Sequence, residues 1–101
     1  MAVDSTESKR RDDHAVLTVL GVDRVGIVAR LCTVLAAHSV NIEDIRMALM
    51  DDLFTMIALV DLGSATAPFA AVQGALENEG RTLGVQVLIQ REEIFHAMHR
   101  L

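Results

Sequence analysis

Apolar positions along this chain fall into four short runs and two longer periodic stretches, and their spacing separates strands from helices. His14 to Leu20 (HAVLTVL) is an apolar, β-branched run ending at Gly21, which predicts a strand. Its apolar residues occupy both parities, so both faces are expected to be covered. From Ile27 to His38 the residues Ile27, Leu31, Val34, Leu35 and His38 recur at helical spacing, with Arg30 and Thr33 on the other side. Val40 to Met50 returns to alternation, with Ile45, Met47 and Leu49 on one side and Arg46 opposite. Asp51-Asp52 then links it to a further apolar run, Leu53 to Asp61, which predicts an antiparallel hairpin. Asp-Asp suits a primed turn less well than Asp-Gly, so a slightly longer loop is expected.

Leu62 to Ala67 reads as a linker, Thr66 as the cap of the next helix, and Pro68 as a residue of its first turn. Phe69, Val72, Leu76 and Leu83 mark that helix, which ends near Gly84. Gly74 and Gly80 weaken it by roughly 1 kcal/mol each relative to Ala, so tertiary packing must hold it. Val85 to Gln90 is the fourth strand, and Ile94, Phe95, Met98 and Leu101 form an apolar stripe on a short final helix over 92–101.

The order strand, helix, strand, strand, helix, strand predicts an α+β fold: a ferredoxin-like βαββαβ sandwich with a four-stranded antiparallel sheet, both helices on one face, and a short C-terminal helix. Residues 1–13 are polar and aperiodic and are expected to be a disordered tail, with 14–101 forming a single domain. Leu53, Thr55, Ile57 and Leu59 alternate with Phe54, Met56, Ala58 and Val60, so neither face of the third strand is polar. The helices can cover only one face; the tail helix, a partner subunit, or both must cover the other.

Composition sharpens that expectation. Hydrophobic residues make up 51% of 101 residues and aromatics only 3%, so the core is aliphatic and the apolar content is high for so small a domain. A homodimer supplies the extra buried surface. The net charge of -5 argues against nucleic acid and against an anionic membrane surface, because the basic run Lys9-Arg10-Arg11 is followed directly by Asp12 and Asp13. One cysteine, Cys32, excludes an internal disulfide and a thiolate metal cage; it reads as a small buried hydrophobe. The start lacks the apolar core of a secretory signal, and no run approaches the roughly 20 residues of a membrane span, so a cytoplasmic protein is expected.

The candidate chemistry lies in Gly21-Val22-Asp23-Arg24-Val25-Gly26, between the first strand and Ile27. Gly21 can take a positive φ, Asp23 can cap the N–H groups of Val25 and Gly26, and Gly26 permits close backbone approach. A helix N-terminus also attracts a carboxylate or phosphate. The alternative is a well-formed helix start and nothing more. Gly21 to Ala29, followed one helix later by Val40-Asn41-Ile42, resembles an ACT domain over His14 to about Arg91. The tail Gln90-Arg91-Glu92-Glu93-Ile94-Phe95-His96-Ala97-Met98-His99-Arg100 is similar to that of a family of small stand-alone ACT-domain proteins. Other relatives by resemblance are the amino-terminal halves of formyltetrahydrofolate deformylases and the glycine-cleavage regulators.

The resemblance implies a regulatory module binding a small-molecule effector, commonly an amino acid, between the first loop of one subunit and the second strand of another. It implies a ligand-binding set of Gly21, Val22, Asp23, Arg24, Val25, Gly26, Ile27, Asn41 and Ile42. Val25 stands where many members have Pro, which removes some preset stiffness.

Other groups carry less. Glu92, His96 and His99 share one helical face, but a solvated polar face accounts for them better than a metal site. Glu43 and Asp44 are expected on opposite faces of their strand, or at a bulge. Met47, Met50 and Met56 are expected in the core or an interface. Copper chaperones of this architecture need a cysteine pair, RNA readers need sheet aromatics, and acyl-phosphate hydrolases need a basic cradle; the chain has none of these in full. No nucleophile–base pair or cofactor motif is present, so no catalytic residue, metal or cofactor is assigned. The expected function is a ligand-sensing homodimer; the alternative is an interaction subunit docking on an enzyme or regulator without a ligand of its own.

Overall fold

The computed structural model describes residues 13–23 and 25–93. The expected disordered tail, Arg24, and the greater part of the expected C-terminal helix, with its apolar stripe and His96 and His99, lie outside the described residues. The elements run β1 (His14–Val22), α1 (Ile27–Ala37), β2 (Asn41–Met50), β3 (Leu53–Asp61), α2 (Phe69–Leu83) and β4 (Gln86–Arg91). All neighbours are antiparallel in the order β2-β3-β1-β4, with each helix bridging one half of the βαββαβ chain. This is the ferredoxin-like sandwich that the order of elements predicts.

The register shows how the two parities divide. One face of the sheet carries Ala15, Leu17 and Val19 of β1 beside Val60, Ala58 and Met56 of β3, each fully buried. Against them pack Ile27, Leu31 and Leu35 of α1 and Val72, Leu76 and Leu83 of α2. The opposite face is graded. His14 and Val16 are buried, whereas Leu20, Val22, Leu53, Ile57 and Leu88 are 38–52% exposed. β1 is therefore covered on both faces only over its first half. Phe54, the one aromatic of the strands, points into the helix-side core and leaves the other face without a stacking ring.

Several local expectations are corrected. The β2–β3 link needs no extra residue: Met50 pairs with Leu53 across a two-residue turn, because Asp51 itself takes the left-handed conformation at φ 58°. Thr66 does not cap α2. Pro68 occupies the cap position in an extended conformation without a side-chain cap, and the Thr66 N–H donates to the His38 carbonyl at 3.0 Å, tying the linker to the end of α1. The two helices are further joined by Arg30 and Glu79 at 2.7 Å. Cys32 is half-buried, and Met47 and Met50 are exposed where Met56 is core.

Gly80 has a packing role that its helix-weakening cost conceals. A methyl group there would lie 2.5 Å from Val87 Cγ2 and 3.1 Å from the Val85 carbonyl oxygen. The same turn ends α2: Gly84 takes φ 77°, the Val85 N–H donates to the Gly80 carbonyl, and the Gly84 N–H donates to that of Arg81.

Candidate functional site

The loop after β1 is built from two glycines whose roles are the reverse of the expected ones. Gly21 is a strand residue, paired with Phe54, and has no positive φ. It is small because β1 passes close to the start of β4: a methyl group on it would lie 2.8 Å from Val85 Cγ1 and 3.1 Å from its Cα. Gly26 supplies the left-handed turn, at φ 90°, in open space with Arg30 Cγ nearest at 3.9 Å.

Gly26, not Asp23, is the N-cap of α1, and among the described residues no side chain caps that helix. The positive end of the helix dipole lies at this cap. Asp23 is exposed, and its backbone N–H donates to the Asp52 carbonyl at 2.8 Å, so the loop is anchored to the β2–β3 turn. Val22 is 52% exposed, Val25 is fully exposed, and Ile27 is in the core.

Beside this loop lies an open depression of about 260 Å³ lined by Asp23, Met47, Ala48, Leu49 and Phe54. Met47 and Leu49 are more than half exposed, so its outer wall is missing. The volume falls below the usual range of drug-sized sites, roughly 300–1,000 Å³.

Asn41 and Ile42 do not join it. Asn41 pairs with Asp61, at the far end of β3 from Phe54. Seven residues at roughly 3.3 Å each separate the two ends. Within one chain, the nine residues of the expected set therefore split into a loop group and a distant pair. Asn41 is exposed and Ile42 packs on the core.

A second group was not foreseen. His14, only 5% exposed, stands on the face away from the helices, with Nε2 3.2 Å from Glu43 Oε1 and Nδ1 3.9 Å from Glu92 Oε1. Asp61, the cross-strand partner of His14, completes a set whose ligand atoms lie within 4.8 Å of one another. The bulge between Ile42 and Asp44 breaks the alternation of β2, so Glu43 and Asp44 share a face instead of opposing each other. Glu43 turns to His14 and Asp44 to Arg46, whose guanidinium, 3.1 Å away, holds the Asp44 carboxyl below its usual pKa by hydrogen bond first and charge second. These residues are too far apart in sequence for any local motif to announce them. A larger depression of about 510 Å³, lined by residues including Glu77, Arg81, Gln86 and Leu88, runs past edge strand β4 and was also unforeseen.

A family model of the ACT domain matches residues 13–90. The UPF0237 protein of Methanocaldococcus jannaschii is 50% identical over 88 residues, covering 87% of this chain and 98% of that protein. That of Methanococcus maripaludis is 48% identical over 89 residues, covering 88% and 99%. Among solved structures, an ACT domain protein from Streptococcus pneumoniae superposes with a TM-score of 0.71 at 37% identity, over 85% of this chain and 97% of that one. The regulatory subunit of aspartate kinase from Thermus thermophilus shares the fold, with a TM-score of 0.63 at 20% identity, over 80% of this chain and 52% of that one. With the βαββαβ order, the sheet order and a match across most of its length, this chain belongs to the ACT domain family, whose members are regulatory small-molecule-binding modules.

Proposed function

We propose that this protein is a non-enzymatic regulatory module that binds an amino acid, or a similar small metabolite, at a homodimer interface. The effector lies against Gly21, Val22, Asp23, Arg24, Val25, Gly26 and Ile27 of one subunit and near the partner's Asn41 and the partner's Ile42. The observation that carries this reading is the open depression at Asp23, with the N-terminus of α1 beside it and exposed Met47 and Leu49 as its rim.

Edge strand β2 offers the means of completing it. Its outer N–H and C=O groups have no neighbouring strand in the sheet order. If β2 pairs antiparallel with its own copy about its midpoint, between Ile45 and Arg46, the partner's Asn41 falls opposite Met50 and the partner's Ile42 opposite Leu49. The two groups that one chain keeps apart then meet twice per dimer. The first-turn N–H groups of α1 receive an α-carboxylate, Asp23 an α-ammonium group, and Met47, Leu49 and Phe54 an apolar side chain.

Thermal-shift measurements with the amino acids test this directly. A ligand at 100 times its Kd stabilises the protein by about 2.7 kcal/mol. Asp23→Ala and Asn41→Ala should each remove the shift. Mixing the two variants should restore about a quarter of the sites, because half of the randomly formed dimers hold one intact site. Absence of any shift, or no recovery on mixing, refutes the trans site.

The exposed apolar patch of Leu20, Val22, Leu53, Ile57 and Leu88 favours a second reading, an interaction subunit that docks on an enzyme or regulator through this face. Ile57→Asp would then abolish partner recovery, and no amino acid would shift the melting temperature of the wild type.

A further inference from the structure

We propose that His14, Glu43 and Asp61 form a binding site for one first-row divalent cation of borderline hardness, such as Zn²⁺ or Mn²⁺. The argument does not use the effector reading: the Asp23 loop lies at the other end of β1, and Asn41 and Ile42 adjoin the cluster.

Three adjacent strands converge here. His14 opens β1, Asp61 closes β3 opposite it in the register, and Glu43 projects from the β2 bulge one residue beyond the Asn41–Asp61 and Ile42–Val60 pairs. Bulges re-aim side chains, and this one turns a carboxylate onto a histidine that is 95% buried. One ligand atom from each residue lies within 4.8 Å of the others. Bonds of about 2.0–2.2 Å to a shared cation require donor–donor distances of roughly 3–4 Å, so small side-chain rotations close the set.

The donor chemistry selects the class of ion. One imidazole nitrogen and two carboxylates suit Zn²⁺ or Mn²⁺; hard Ca²⁺ prefers an all-oxygen shell, and soft Cu(I) prefers sulfur. A divalent ion with a neutral histidine also balances the charges of Glu43 and Asp61. Asp61 Oδ1 accepts the Gly63 N–H at 2.8 Å, which fixes that carboxylate and leaves Oδ2 for coordination. Ligation through Nε2 exchanges its hydrogen bond to Glu43 Oε1, at 3.2 Å, for the ion and leaves the imidazole proton on Nδ1.

The test is isothermal titration of the full chain, freed of metal by chelator, with Zn²⁺ and separately with Mn²⁺. One ion should bind per chain and raise Tm. Glu43→Gln and Asp61→Asn should each weaken binding at least about 10-fold and remove the Tm shift. Cys32→Ser and the double variant His96→Gln/His99→Gln should bind as the wild type does. Co²⁺ substitution of the wild-type protein supplies a readout that does not depend on variants folding: its absorption should show a nitrogen and oxygen ligand set. No binding to the wild type, undiminished binding in Glu43→Gln and Asp61→Asn, loss of binding in the Cys32 or tail variants, or a thiolate charge-transfer band would each overturn the proposal.

Discussion

Gly74 and Gly80 sit in the same helix, cost it the same intrinsic propensity, and should respond oppositely to alanine. At Gly74 a methyl group would meet no heavy atom within 4 Å, so Gly74→Ala collects the full propensity difference, about 1 kcal/mol of stabilisation. At Gly80 the same methyl group would lie 2.5 Å from Val87 Cγ2, 3.1 Å from Val87 Cβ and 3.1 Å from the Val85 carbonyl oxygen. Val87 is β-branched and rests in β4, so χ1 rotation offers little relief, and the carbonyl belongs to the backbone. Overpacking of this kind costs about 1–3 kcal/mol, which cancels or exceeds the propensity gain. The two variants should therefore differ by about 1–3 kcal/mol, a gap from which the helix term drops out. Urea unfolding at one fixed protein concentration measures it, because any dimer makes stability concentration-dependent. For a domain of this size, 1 kcal/mol moves Tm by roughly 4–8 °C. Val87→Ala removes the clashing methyl, so the double variant with Gly80→Ala should lose less stability than the sum of the single ones. Equal stabilisation by both alanines would show that α2 does not need Gly80 to reach the sheet.

The loop glycines yield a related pair: Gly26→Ala should cost about 1–2 kcal/mol for its left-handed φ alone, and Gly21→Ala about 1–3 kcal/mol through its contact with Val85. Thermal denaturation reads both, and adding Val85→Ala should rescue only the second. NMR titration should place the Asp44 carboxyl below 3.8, moving back towards that value in Arg46→Ala. A depressed carboxyl favours the folded state above its unfolded pKa, and that contribution fades as pH falls through the folded one. Because the pair lies at the surface and is screened by solvent, Asp44→Asn should leave stability at neutral pH nearly unchanged.

Much of the fold was legible because its signals are local. Runs such as HAVLTVL and the spacing of Ile27, Leu31 and Leu35 report burial directly, and connection lengths then restrict the topology to few choices. The site was legible only as a segment. Gly21 and Gly26 stood out as glycines, but whether a glycine serves a turn or a close approach depends on what passes nearby, and Val85 is 64 residues from Gly21. Asp23 was read as a cap from its position before the helix; the left-handed Gly26 takes that place, and the loop is held through Asp52.

The order of residues by itself determined the elements, the helix-side core and the membership of β2 and β3 in one hairpin, since each follows from periodicity within ten or fifteen residues. Tertiary structure alone decided which distant side chains meet. Antiparallel register sends Asn41 to the opposite end of the sheet from the Asp23 loop. The same register, with one bulge, gathers His14, Glu43 and Asp61 from three strands onto one face. Pairing across a sheet fixes neighbours by alignment rather than by separation along the chain, and no pattern within a single segment encodes that alignment.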